Sequence, residues 1–178
     1  LQAIGSKKDL ELLPFYDMIS DLLENETVQN LKQFRHHVQT TRFQHSLNVA
    51  YYNYIFCKRF GWDARSAARA GMLHDLFFYN RKEYIRKSGE AFHNKRHPQM
   101  ACSEASQLFT LSTREKDIIL KHMWPMTPTR VPRYKESMVI VLTDKYCALL
   151  EVTIPFFRKI FRHRSAKSCL LYTSPSPR

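Results

Sequence analysis

The chain has 178 residues, 44% of them hydrophobic and 25% charged, with only four glycines, which is one domain's worth and enough apolar mass for a core. A mean hydropathy of −0.44 and 13% aromatic residues exclude a membrane bundle and a disordered chain, and collagen-like, low-complexity and disulfide-scaffold classes fail on the same composition. The net charge of +12 is concentrated in 81–96 and 158–178, while Asp9, Glu11, Asp17, Asp21, Glu24 and Glu26 have no base among them; such local basicity suits an anionic small substrate as well as a nucleic-acid backbone.

In chain order, Pro14 suits a first helical turn and leads a helix over 15–23. Thr27 is placed to cap a second short helix running to Phe34. From 41 to 60 the spacing predicts a long helix with Leu47, Ala50, Tyr51, Tyr54 and Ile55 on one face and His45, Val49, Tyr52 and Phe56 on the other. A helix apolar on two faces belongs at the centre of the fold. Gly61 ends it and Asp63 caps the next, in which Ala64, Ala67, Ala68, Gly71, Met72 and Asp75 share a face small enough for close helix approach. Residues 79–97 are polar and basic and read as a loop with at most a short helix. Pro98 is expected to open a helix with Ala101, Ala105, Leu108 and Phe109 inside. Ser112 and Glu115 form a capping box that starts a helix with Ile118, Ile119 and His122 on its inner side. After a proline-rich loop over 125–132, a helix is expected from Lys135 to about Val152, containing the apolar run 138–142 and then Asp144. No segment alternates with period 2, so the expected fold is all-α: a single compact bundle of about six to eight helices.

The longest aliphatic run, 138–142, is far short of the ~20 residues that span a bilayer, and no membrane partner is expected. Cys57, Cys102, Cys147 and Cys169 lie far apart with no signal peptide in front, which predicts a reducing cytoplasm. The chain starts at Leu1, and the true start is expected to lie upstream. Residues 168–178, with two prolines and no helical period, resemble translated adapter sequence or a disordered tail and are set apart from the fold. The expected division is an N-terminal helical segment over 1–35, packed on a domain over 36–167.

The chemistry-bearing residues gather on inward helical faces. His45 lies on the central helix, His74 and Asp75 at the end of the alanine-rich one, His97 beside Pro98, His122 after Ile118 and Ile119, and Asp144 one turn past Ile140. One inward histidine is an ordinary core side chain. Six ionisable groups on five helices, without a shared partner, would cost several kcal/mol each to bury. Imidazoles and carboxylates are the ligands of iron, manganese, zinc and cobalt sites, so a metal or a pair of metals is the economical explanation.

The order H…HD…H…H…D, with Arg42 three residues before the first His, resembles the HD superfamily of metal-dependent phosphohydrolases, and looks closest to its small stand-alone bacterial members. The stretches 41–50, 70–75, 97–101, 121–122 and 142–146 carry the likeness. The resemblance implies an HD-domain bundle in which His45, His74, Asp75 and Asp144 bind a first divalent ion. Asp75 would bridge to a second, held by His97 and His122, with iron, manganese or a similar metal in both places. It implies hydrolysis of a nucleotide or other small phosphoester, monoester or diester, through metal-activated water. Arg42 is the first candidate for a phosphate clamp, with Lys145 the second, and Asp75, Arg42 and Lys145 make up the expected catalytic set. His36 and His37 are candidates for lining the substrate site, with a solvated loop as the alternative. Superfamily members often follow the HD pair with a small residue and a polar helper, whereas here Leu76, Phe77, Phe78, Tyr79 and Asn80 follow. That leaves Glu83 or Tyr79 as alternatives to packing or surface roles. His93 and His163 are expected at the surface. The competing expectations are a nucleotide sensor without turnover and a nucleic-acid-binding module using 81–96 and 158–167; nucleic acid is the less favoured partner.

Overall fold

The computed structural model describes residues 1–36 and 40–170, with the side chains of 158 and 160–170 left out. Its architecture follows from a close approach between two helices. α3 (Arg42–Arg59) and α4 (Ala64–Leu73) share the most extensive helix contact among the described residues, and they meet where residue 71 carries no side chain. A Cβ built on Gly71 would stand 2.8 Å from the Ala50 Cα and 2.8 Å from Asn53 Nδ2. Asn53 stitches the contact by donating to Ala67 O at 3.0 Å and accepting from the Thr143 hydroxyl. Thr41 caps α3 by accepting from Gln44 N, Gly61 ends it at φ 67°, and Asp63 caps α4 by accepting from Ser66 N. α4 is buried from Ala67 to Leu73, so its C-terminal end delivers His74 and Asp75 into the middle of the protein.

Around this pair lie α1 (Pro14–Glu24), α2 (Glu26–Gln29), α5 (Arg81–Ser88), α6 (Glu90–Leu108), α7 (Thr113–Lys121) and α8 (Lys135–Leu170). That makes eight α-helices among the described residues, with 3-10 turns at Leu10–Leu12 and Asn30–Gln33 and one isolated bridge between Arg35 and Thr41. The N-terminal elements belong to the same core: Leu10, Phe15, Ile19, Leu22, Val28 and Leu31 are fully buried, with Phe15 against the rings of Tyr51 and Tyr54. The capping box of α7 is present in both directions, Ser112 with Glu115. No described helix is long and apolar enough to cross a membrane.

Four local expectations are corrected. Asn25, not Thr27, caps α2, because its carboxamide accepts from both Thr27 N and Val28 N. Residues 79–97 are mostly helix: Asn80 caps α5 through its side chain, Gly89 at φ 85° breaks the chain, and α6 starts directly afterwards. Pro98 therefore sits inside α6 instead of opening it. α8 continues past Val152 to Leu170, through Pro155 and into the segment set apart as a tail, while 171–178 lie outside the described residues.

Because the Ala50 backbone as well as the Asn53 carboxamide lines the space beside Gly71, moving a side-chain end aside cannot clear it. Gly71→Ala is expected to cost about 1–3 kcal/mol of folding stability, in the range of other overpacked cores. Urea unfolding measures it, and a loss under about 0.5 kcal/mol would show that α3 and α4 separate freely.

Candidate metal centre

Five elements aim one residue or pair each at a common point. α3 supplies His45, the end of α4 supplies His74 and Asp75, α6 supplies His97, the residue closing α7 is His122, and α8 supplies Asp144. The four imidazoles are buried, Asp75 is nearly so, and Asp144 is partly open to a cavity. Three sets bring their ligand atoms within 4.8 Å of one another: His36, His45 and Asp75; His45, His74 and Asp144; and His74, Asp75 and His122.

The backbone fixes which nitrogen of each ring faces inward. The Nδ1–H of His74 donates to Gly71 O at 2.8 Å, that of His97 to His93 O at 2.9 Å, and that of His122 to Ile119 O at 2.8 Å. With Nδ1–H committed to a carbonyl, it is Nε2 of each ring that faces the centre, the atom a metal ligand must offer. Nε2 of His97 and Nε2 of His122 lie 2.9 Å apart, and they stand 3.5 and 3.9 Å from Asp75 Oδ1. Nε2 of His74 is buried and makes no hydrogen bond; Asp144 at 3.8 Å and Asp75 at 4.0 Å attract it from beyond hydrogen-bond reach. Buried acceptors facing one another with no donor between them fit a cation. His45 is held differently, with Nδ1 3.1 Å from both oxygens of Glu151 and Nε2 3.0 Å from Asp144 Oδ1.

Charge follows from these contacts. Burial opposes a proton on His45, but the Asp144 and Glu151 hydrogen bonds outweigh it and raise its pKa to about 10. His74 is raised too, burial being overcome by Asp75 and Asp144. His97 and His122 go the other way, pushed by burial down to about 4 and about 3, with His93 at about 4 for the same reason. At neutral pH the pair facing each other across 2.9 Å is therefore neutral, and no proton joins them. Burial works against ionisation of Asp75 and Asp144, yet the surrounding imidazoles, His74 foremost for Asp75 and His45 for Asp144, hold both carboxyls well below their usual range.

A cavity of about 160 Å³ opens onto the cluster, walled by Phe77, Met123, Met126 and Ala148 and carrying Arg81, Asn94 and Lys145. His36 and His93 line it as well. His36 stacks on His45 at 3.9 Å between ring centres, and its Nδ1 stands 3.7 Å from Asp75 Oδ2; His37 lies outside the described residues. Lys145 lines this cavity, and its ammonium donates to Val141 O at 2.9 Å. Arg42 does not line it. Its guanidinium is 1% exposed, stacks on Phe77 at 3.6 Å, and donates to the carbonyls of Phe77 and Tyr79. The fork expected to clamp phosphate instead holds the segment after Asp75, and Arg81 is the arginine at the cavity.

Neither helper candidate lines the cavity. Glu83 pairs with Lys87 at 2.9 Å on an exposed turn, and the Tyr79 hydroxyl, its pKa raised by burial, donates to His93 Nδ1 at 2.8 Å. His93, expected at the surface, is 2% exposed because α6 starts early enough to carry it inward, one turn before His97. Glu151 was missed altogether, although it falls two helical turns after Asp144 and so on the same face of α8.

The HD domain family model matches residues 42–149, more than half of the chain. No curated protein and no solved structure matches.

The shifts predict a two-sided pH dependence for the chain stripped of metal. His45 and His74 keep protons that the unfolded chain loses near pH 6.5, so their stabilisation is complete below that pH and drains away as the pH rises, for His45 toward 10. His93, His97 and His122 resist protons that the unfolded chain accepts near pH 6.5, so stability also falls as the pH drops toward 4. Denaturant unfolding in chelator should give a maximum near pH 6.5, with the loss up to about pH 7.5, before the chain's amino terminus and the unfolded thiols titrate, belonging to His45 and His74. A flat profile from pH 5 to 8 contradicts it.

Proposed function

The chain belongs to the HD domain family, a family of metal-dependent phosphohydrolases, and from that premise we propose that it hydrolyses a phosphoester or phosphoanhydride bond of a nucleotide or another small phosphorylated substrate with two divalent ions per chain. In this reading His45, His74, Asp75 and Asp144 would hold one ion, and His97 and His122 the other. Asp75 would be shared between them, since Oδ1 faces His74, His97 and His122 while Oδ2 faces His36. The observation that carries the proposal is the neutral pair His97 and His122, whose inward nitrogens are 2.9 Å apart beside a buried carboxylate. Iron or manganese suits such a set of imidazoles and carboxylates.

A bound divalent ion supplies the charge that makes water a nucleophile near neutral pH and polarises a phosphoryl oxygen. The chain's own groups do the rest. The cavity is smaller than the roughly 300–1,000 Å³ that encloses a whole drug-sized ligand. A phosphoryl group fits inside, and the remainder of the substrate lies at the mouth. There the Arg81 fork can take two phosphate oxygens and Lys145 a third, leaving Val141 O to do so. Phe77 and Met123 keep bulk water from the inner wall, so charges at the cluster act in a medium of low dielectric. Arg42 fixes the backbone of Phe77 and Tyr79, and through it the segment that leaves Asp75.

A panel of nucleoside mono-, di- and cyclic phosphates, assayed with manganese and with iron, tests the proposal. Turnover that stops in chelator and returns with metal is expected. Asp75→Asn and His74→Ala should each lower it by more than ~100-fold, beyond the 10–100-fold typical of groups that only support a ligand. Saturable binding of nucleotide without turnover would identify a sensor instead. Arg81→Ala should raise KM by roughly 10–100-fold with a smaller change in kcat, the worth of a charge-assisted hydrogen bond to phosphate; an unchanged KM would remove Arg81 from the substrate site.

A further inference from the structure

His45 is anchored unlike the other imidazoles of the cluster. His74, His97 and His122 each rest Nδ1–H on a carbonyl of their own chain three or four residues back, which a helix holds rigidly. His45 instead rests Nδ1–H on a side chain from another helix, Glu151 of α8. A side chain can hold a ligand only as firmly as it is itself held.

Glu151 is fully buried, and its Oε1 accepts from Asn48 Nδ2 at 2.8 Å. Asn48, also fully buried, accepts through Oδ1 from the Ile4 N–H at 2.9 Å and from Gln44 Nε2 at 2.9 Å. Gln44 Nε2 in turn reaches Gln2 O at 3.0 Å. The same N-terminal segment is tied down where the Tyr52 hydroxyl donates to Ile4 O at 2.7 Å, and Gly5 turns beside that hydroxyl at φ 74°. A Cβ at residue 5 would stand 3.0 Å from it in a backbone conformation that side chains rarely adopt. A continuous line of hydrogen bonds thus leads from residues 2–6, far outside the family match at 42–149, to the ring of His45.

We propose that Glu151 and Asn48 are positioning residues for His45, and that residues 2–6 form a strap that locks them in place. The proposal rests on His45 being a metal ligand, as argued above. Glu151 aims the ring so that Nε2 meets Asp144, and Asn48 spends its amide on Glu151 and its carbonyl on the strap. Carboxylate support of a ligating imidazole fixes its tautomer and its direction. Here the support extends one layer further, to the backbone of the N-terminal segment. The coupling is reciprocal: metal on His45 must tighten the strap by as much as the strap tightens the metal.

The test uses the full chain and cobalt(II), whose visible bands report ligand geometry directly. Glu151→Ala should weaken cobalt binding 10–100-fold and alter the bands, while Glu151→Gln, which can still accept from Nδ1–H, stays within about threefold. Gly5→Val removes no ligand and none of the side chains of the relay but strains the strap itself, and should weaken binding by a few fold. In the parent chain, cobalt loading should slow hydrogen exchange at the Ile4 amide. Unchanged cobalt affinity and bands in Glu151→Ala overturn the proposal, as does an Ile4 amide whose exchange ignores the metal. Should Glu151→Ala fail to fold, Gly5→Val and the Ile4 exchange decide alone. His45→Ala separates the two levels. Parent-like cobalt binding in that variant removes His45 as a ligand and takes the relay with it. Weakened binding there, with an indifferent Glu151→Ala, overturns the relay only.

Discussion

Asp75 sits almost out of reach of water with its oxygens facing the imidazoles of His36, His74, His97 and His122. A buried carboxylate is costly unless charge or hydrogen bonds compensate it. The imidazoles around it supply that compensation and keep it ionised, while His97 and His122, neutral at ordinary pH, turn lone pairs toward the same place. The rest of the structure serves to keep this arrangement from relaxing. Helix carbonyls clamp three of the rings, Arg42 ties the chain just after Asp75, and the close contact at Gly71 holds the end of α4 where it must be. Unprotonated imidazole nitrogens held against one another beside a carboxylate make a setting suited to a cation.

Support and recognition are divided between different parts of the chain. The ligand side chains come from helices inside the family match, and their placement depends on packing between α3, α4, α6, α7 and α8. The cavity mouth draws on α5 and the neighbouring part of α8, where Arg81, paired with Glu90 at 3.4 Å, and Lys145, donating to Val141 O, line the opening. Outside the match lie the strap at 2–6 and Glu151, both directed at His45. The matched core therefore accounts for the class of chemistry, and a fold by itself does not choose the substrate.

Much of this was legible in the sequence. The limits of α3 and α4 follow from Thr41, Gly61 and Asp63, the capping box of α7 from Ser112 and Glu115, and the set His45, His74, Asp75, His97, His122 and Asp144 from inward helical spacing joined to a family order. What was not legible depended on tertiary partners. α5 and the start of α6 lack an apolar stripe, so only the docking of His93 beside Phe77 and Tyr79 reveals that residues 79–97 are built into the site. Arg42 carries the right fork for phosphate, but spacing along a helix does not say whether a fork points at a cavity or at two carbonyls. Glu151 did leave a signal, seven residues after Asp144. One acid on a helix is unremarkable, however, until the imidazole opposite it is known.

The measurement closest to the central claim is elemental analysis of metal per chain, on protein purified without a His tag or added metal and again after reconstitution. The account predicts about two divalent ions per chain, of the iron or manganese class. One ion would leave His97 and His122 as neutral neighbours with nothing between them and would contradict the two-ion centre; none, even after reconstitution, would contradict the metal centre itself.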